Sequence, residues 1–154
     1  MSIEDDISFF ERVPTLGNLG RQALRILAIG AETRYIHGGE VLFKAGDESD
    51  GAFVIQEGHF ALSSDPAADE VTIGPGTLLG EVALFTETRR PVTATALEPS
   101  TVLRIPRALF IKMLDSFPDA ASKLRELLAT RLDQSAREIA SVRGALGRHD
   151  RTSE

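Results

Sequence analysis

TLLGEVALFTETRRPVTATA, residues 77–96, decides how the rest of the chain is read. Gly80 and Glu81 stand ahead of a small and apolar segment, Val82 to Phe85, long enough for about one helical turn. A polar loop with Arg89 and Arg90 follows, and then Val92, Ala94 and Ala96 alternate as in a strand. A glycine before a one-turn helix leaves backbone N–H groups unpaired and clear of any Cβ, which makes a small anion site. An arginine brought back against that turn adds a bidentate grip on phosphate. Glu81, an acceptor only, suits a sugar hydroxyl. Phosphate plus ribose in one compact cassette points to a nucleotide. The plainer alternative is that Glu81 and Arg90 form an exposed ion pair on a β-rich domain.

Upstream, a short amphipathic turn from Ile7 to Arg12 gathers Phe9, Phe10 and Val13 before Pro14 stops it. Asn18 is placed to cap a second helix to about Ala31, with Leu24, Leu27 and Ala28 on one face. The period then shortens. Tyr35 and Ile36, Val41 to Phe43, Phe53 to Ile55, Phe60 to Leu62 and Val71 to Ile73 are short apolar pieces between glycine-rich turns. That pattern predicts an antiparallel barrel or double-sheet jelly roll. Ser63 to Asp69 reads as a mobile hairpin tip, and Gly74-Pro75-Gly76 as a turn between strands.

Downstream of the cassette, Val92 to Ala96 and Thr101 to Ile105 complete the β part. Pro106 sits where a helix would begin, and Leu109, Phe110, Met113 and Leu114 give that helix an apolar face. Pro118 and Asp119 open a longer helix that can run to Gly144 or Gly147, roughly 40–45 Å. Along it Leu128, Leu132, Ser135, Ile139, Val142 and Leu146 keep the 4-3 spacing of a helix that pairs with another.

Composition excludes several classes. The 154 residues contain no cysteine, so disulfides and thiolate chemistry are absent. The net charge of −6 argues against a broadly basic nucleic-acid surface. Residues 1–122 carry 10 Lys/Arg against 18 Asp/Glu, whereas 123–154 carry 7 against 5, a mildly basic helical face. The acidic start MSIEDDISFF has no basic n-region and apolar h-region, and no apolar run approaches a membrane span. A cytoplasmic protein is expected. His37, His59 and His149 are far apart in sequence, and neither a G-x-S-x-G elbow nor a G-x-x-x-x-G-K-[ST] loop is present. No enzyme is expected, and no metal.

The cassette resembles the phosphate-binding cassette of cyclic-nucleotide-binding domains, Phe-Gly-Glu-Leu-Ala-Leu, a short loop, then Pro-Arg-x-Ala-Thr. Gly80, Glu81, Ala83 and Leu84 match the first block, Arg90 the arginine and Thr93 the threonine. VLFKAGDESDGAFVIQEGHFAL is similar to the family's second to fourth strands, with Gly46 and Gly58 at turn positions. The resemblance runs from about Phe9 to Val142 and follows the catabolite-activator branch. It implies a cAMP or cGMP ligand held by Gly80, Glu81, Val82, Ala83, Arg90, Pro91, Val92 and Thr93, with Ser135 near the base. Two departures stand out. Pro91 lacks the backbone N–H that this position turns toward phosphate, and Ala136 replaces a second hydroxyl after Ser135.

The expectation is an α+β, mainly β, domain. Residues 1–117 form a helical lead-in, a jelly roll with a short cassette helix and a first C-terminal helix; 118–147 form a long dimerisation helix, and 148–154 a disordered tail. The resemblance implies a non-catalytic sensor that forms a homodimer and relays binding through its C-terminal helices to an unknown downstream protein. With only a few polar residues after the stripe, no DNA-reading module is expected, and no membrane partner. The rival readings are an interaction module with a degenerate pocket and an enzyme on a barrel fold.

Overall fold

A capping box starts the chain. In the computed structural model, which describes residues 2–64 and 70–129, the Ser2 hydroxyl accepts from the Asp5 backbone N–H at 3.2 Å. The Asp5 carboxylate accepts from the Ser2 backbone N–H at 3.3 Å. Helix α1 therefore spans Ile3–Glu11, four residues earlier than the apolar pattern indicates, because Glu4, Asp5 and Asp6 suit its positive end. Helix α2 spans Arg21–Gly30. Asn18 is not its cap: Gly20, at φ 92°, turns the chain into the helix without a side-chain bond. Ala23, Leu24, Leu27 and Ala28 form its buried face as expected.

Among the described residues ten strands follow: β1 (Glu32–Ile36), β2 (Val41–Phe43), β3 (Glu48–Ser49), β4 (Gly51–Glu57), β5 (Phe60–Ser63), β6 (Val71–Ile73), β7 (Leu78–Leu79), β8 (Thr88–Arg89), β9 (Thr93–Ala96) and β10 (Ser100–Pro106). They make two four-stranded antiparallel sheets, ordered β1-β10-β4-β7 and β2-β9-β5-β6, and a small β3-β8 ribbon. This is the expected jelly roll. Gly46 and Gly58 hold φ of 91° and 92° at its turns. Helix α3 spans Arg107–Ser116, with Pro106 as its N-cap rather than its first residue and also the last residue of β10. Residues 118–129 are helical from Pro118 onward.

Two apolar clusters meet at β4. Ala52 and Val54 join Leu103, Ile105, Phe10, Leu24, Leu27, Phe110 and Met113 on the helical side. Phe53 and Ile55 join Phe43, Phe60, Leu79, Ala94, Ala96 and Val102 inside the roll. The period-two alternation of a strand makes this division, and β4 is buried on both faces because each sheet face has its own cover. Each large side chain so buried contributes about 1.5–3 kcal/mol. Ala120 and Leu124 extend the helical cluster, and Leu128 packs against it. The remainder of the heptad stripe, Leu132, Ser135, Ile139, Val142 and Leu146, lies outside the described residues, as do the hairpin tip at 65–69, the end of the long helix and the tail.

Candidate functional site

Gly80 adopts the left-handed region, φ 81° and ψ 35°, and turns β7 into a 3-10 helix spanning Glu81–Leu84. The helix starts one residue before the apolar run, and Phe85 is its C-cap. Ala83 and Leu84 are buried, Glu81 is half-buried and Val82 faces out. Phe85 packs edge-on to Phe110 of α3, with centroids 5.5 Å apart.

The loop then returns through the β3-β8 ribbon, where Glu48 pairs with Arg89 and Ser49 with Thr88. Arg90 is gripped on both sides by the turn at 46–47. Its N–H donates to the Asp47 carbonyl at 2.8 Å, and its carbonyl accepts from Gly46 N–H at 2.7 Å. This fixes the backbone so that Arg89 points outward and Arg90 inward. Arg89 is exposed and donates to the Gly46 carbonyl at 2.9 Å.

Arg90 is 6% exposed, so no exposed ion pair forms at this position. Nη2 donates to the Gly51 carbonyl at 2.9 Å. The guanidinium carbon lies 4.5 Å from the Phe43 ring centroid and 5.5 Å from that of Phe53. Nη1 is buried and has no hydrogen-bond partner. It lies against Gly80, where any Cβ would overlap it. Burial holds this guanidinium below the usual arginine range, an effect that Asp50 partly offsets. A buried cation with one donor unused is costly. The group is therefore poised to take an anion over the glycine turn.

The other expected residues surround it unevenly. Pro91 is exposed and Val92 packs against the interior cluster. The Thr93 hydroxyl accepts from Ala45 N–H at 2.9 Å, so it braces the 44–47 turn. Ser135 lies outside the described residues. The structure thus brings Gly80, Glu81, Val82 and Ala83 onto one short turn, with Arg90 beneath Gly80.

Sequence reasoning missed Phe43 and Phe53, the aromatic floor under Arg90, although both occupy inward positions of recognisable strands. It also missed Gly51, Arg104 and Arg107. Arg104 holds Glu32 at 3.0 Å and Asp50 at 2.6 Å; its hydrogen bond keeps the Asp50 carboxyl below the usual range. Nothing local in the sequence signals these contacts. A cleft of about 620 Å³, lined by Glu48, Ser49, Asp50, Glu87, Thr88, Arg89 and Arg107, opens outside the ribbon rather than at the glycine turn. Among the described residues no cluster of three His, Cys, Asp or Glu is placed to hold a metal, and no helix is long and apolar enough to cross a membrane.

The sequence profile of the cyclic nucleotide-binding domain matches residues 33–117, more than half the chain. The chain belongs to the cyclic nucleotide-binding domain family. A solved cyclic nucleotide-binding-like protein of Brucella abortus is 36% identical, with a TM-score of 0.64, covering 72% of this chain and 98% of that one. The N-terminal domain of a Streptomyces coelicolor transcriptional regulator is 27% identical, with a TM-score of 0.74, covering 82% and 94%. Among curated proteins, a lysophospholipase of Chaetomium globosum is 26% identical over 121 residues, which are 76% of this chain and 8% of the enzyme. The chain therefore spans under a tenth of the length of the curated relatives it matches. The matched span of this cyclic nucleotide-binding domain includes the Gly80 turn and Arg90.

Proposed function

We propose that this domain is a non-catalytic sensor of cAMP or cGMP, with the ligand phosphate seated between the Gly80 turn and Arg90. One observation carries the reading: Arg90 is buried, aimed at the turn, and keeps Nη1 without a partner. An anion there would satisfy the donor and neutralise the cation at once. Glu81, opening the 3-10 helix, is the candidate partner for the ribose hydroxyl. Val82, Ala83, Pro91, Val92 and Thr93 line the same cassette, and Ser135 is the candidate contact to the base. Binding is relayed through α3 and the last helix, which also pairs two copies of the chain, to a downstream protein. The relatives named above, a transcriptional regulator and a large lipid hydrolase, illustrate two kinds of protein in which such a domain sits.

A second reading has its own support. Pro91 removes a donor, and Phe43 with Phe53 fills the space below Arg90, as expected of an interaction module whose pocket no longer accepts nucleotide. Calorimetry with cAMP and cGMP on nucleotide-stripped protein separates the two. Saturable binding of either supports the sensor; the absence of heat with both, at millimolar ligand, leaves the interaction module.

A further inference from the structure

Three successive carbonyls at the corner between β3 and β4 are each held by an arginine. Gly51 O accepts from Arg90 Nη2 at 2.9 Å. Asp50 O accepts from the Arg107 backbone N–H at 2.6 Å, and Ser49 O from Arg107 Nη2 at 2.5 Å. Arg107 Nε also donates to Ala83 O, inside the cassette helix, at 2.7 Å. On the other side of the same corner, Ser49 Oγ donates to Thr88 O at 2.7 Å.

Arg107 is the first residue of α3. Pro106 gives that helix no side-chain cap, so the corner supplies the acceptor for the first helical N–H. The side chain, only partly exposed, reaches from there to a carbonyl in the last turn of the cassette helix. One turn further along α3, Phe110 meets Phe85 with the two rings nearly perpendicular. Positions 107 and 110 share a helix face, so the cassette grips α3 through one polar and one apolar contact side by side.

We propose that Arg107 is the positioning residue that makes the cassette and α3 move together, so that an event at Arg90 reaches the C-terminal helices. The route is short: Arg90 to Gly51 O, along the 49–51 corner, to Arg107 and so to α3. A displaced cassette must either carry α3 with it or break the bond from Arg107 Nε to Ala83 O. A planar fork can hold two carbonyls of different segments at fixed angles; an ammonium cannot hold both with the same geometry. This inference rests on the nucleotide reading for its trigger but not for its mechanical link.

The test uses the full chain and follows backbone amide exchange by mass spectrometry, with cAMP and cGMP as probes. In the wild type, nucleotide is expected to slow exchange over both 80–90 and 107–116. Arg107→Met, which keeps the stem and removes the fork, should bind nucleotide within about threefold of wild type by calorimetry. It should keep the response over 80–90 and lose that over 107–116. Arg107→Lys should fall between and serves as the judged variant if Arg107→Met does not fold. A response over 107–116 that persists in the substituted protein overturns the proposal. Should the wild type bind neither nucleotide, the sensor reading fails and the ligand-free arm decides: Arg107→Met should speed exchange at 80–90 about tenfold while 51–57 stays unchanged. Unaltered exchange at 80–90, or equal acceleration of both, overturns the link.

Discussion

The guanidinium carbon of Arg90 lies 4.5 Å from the centre of the Phe43 ring. A cation over an aromatic face gains about 0.5–2 kcal/mol, yet this one is buried with a donor unused. The aromatic floor and the Gly51 carbonyl recover only part of that cost. Arg90→Met should therefore raise the melting temperature of the ligand-free domain by roughly 2–4 °C, about 1 kcal/mol, while weakening cyclic nucleotide binding about 10- to 100-fold. Scanning calorimetry and titration on the same sample check both signs. Arg89→Ala should change affinity little, since Arg89 is exposed.

Gly80 is left-handed, and a Cβ there overlaps Arg90 Nη1. Gly80→Ala should cost about 1–2 kcal/mol in backbone strain. It should also push the guanidinium off its seat, because the flexible side chain yields before the backbone does. Nucleotide affinity is expected to fall at least tenfold. A variant that loses stability but keeps full affinity would show that Arg90 does not need this approach.

Pro91 follows a residue whose N–H and carbonyl are both paired with the 46–47 turn, so changing Pro91 leaves that pairing in place. Pro91→Ala restores a backbone donor worth roughly 1.5–3 kcal/mol toward a charged acceptor, against at most about 1 kcal/mol of lost stiffness. Binding should tighten about tenfold in isothermal titration. Equal or weaker binding would mean that phosphate does not approach this residue.

Asp50 carries a lowered carboxyl pKa because Arg104 donates to it. Its contribution to stability is therefore complete above the unfolded carboxylate value, 3.8. It is lost as pH falls through the lower folded value. The Asp50 side chain is 74% exposed, so the pair is worth only about 0.5–1 kcal/mol. Asp50→Asn should lower the melting temperature at pH 7 by a degree or two, and the gap to wild type should close as pH falls below the lowered folded value.

Ile139 belongs to the apolar stripe read in the last helix. Ile139→Glu places a charge in the proposed seam between two copies. Sedimentation should report monomer for the variant and dimer for the wild type. A wild-type monomer, or a dimer that survives the substitution, removes the homodimer.

Most of the roll was legible because its strands alternate. Ala94 and Ala96 are buried as their spacing indicates, and Gly46 and Gly58 take the positive φ that their turns require. The three two-residue strands β3, β7 and β8 were not, since two residues carry no period. Asn18 looked like a cap because its chemistry suits one; Gly20 took over by conformation. At the site, the inward turn of Arg90 followed from motif spacing. Its seat on Phe43 and Phe53, and the reach of Arg107 to Ala83, join segments far apart in the chain, and no local pattern encodes such pairs.

Strand β4 shows Phe53 and Ile55 to one apolar cluster and Ala52 and Val54 to the other. Neighbouring positions on a single strand are thus separable handles. Exchanging Phe53 for a smaller or more polar side chain would retune what the interior admits, and exchanging Val54 would retune how firmly the helices seat. Selection, natural or in the laboratory, can reach the interior of the roll and the seat of the helices through adjacent residues of one strand.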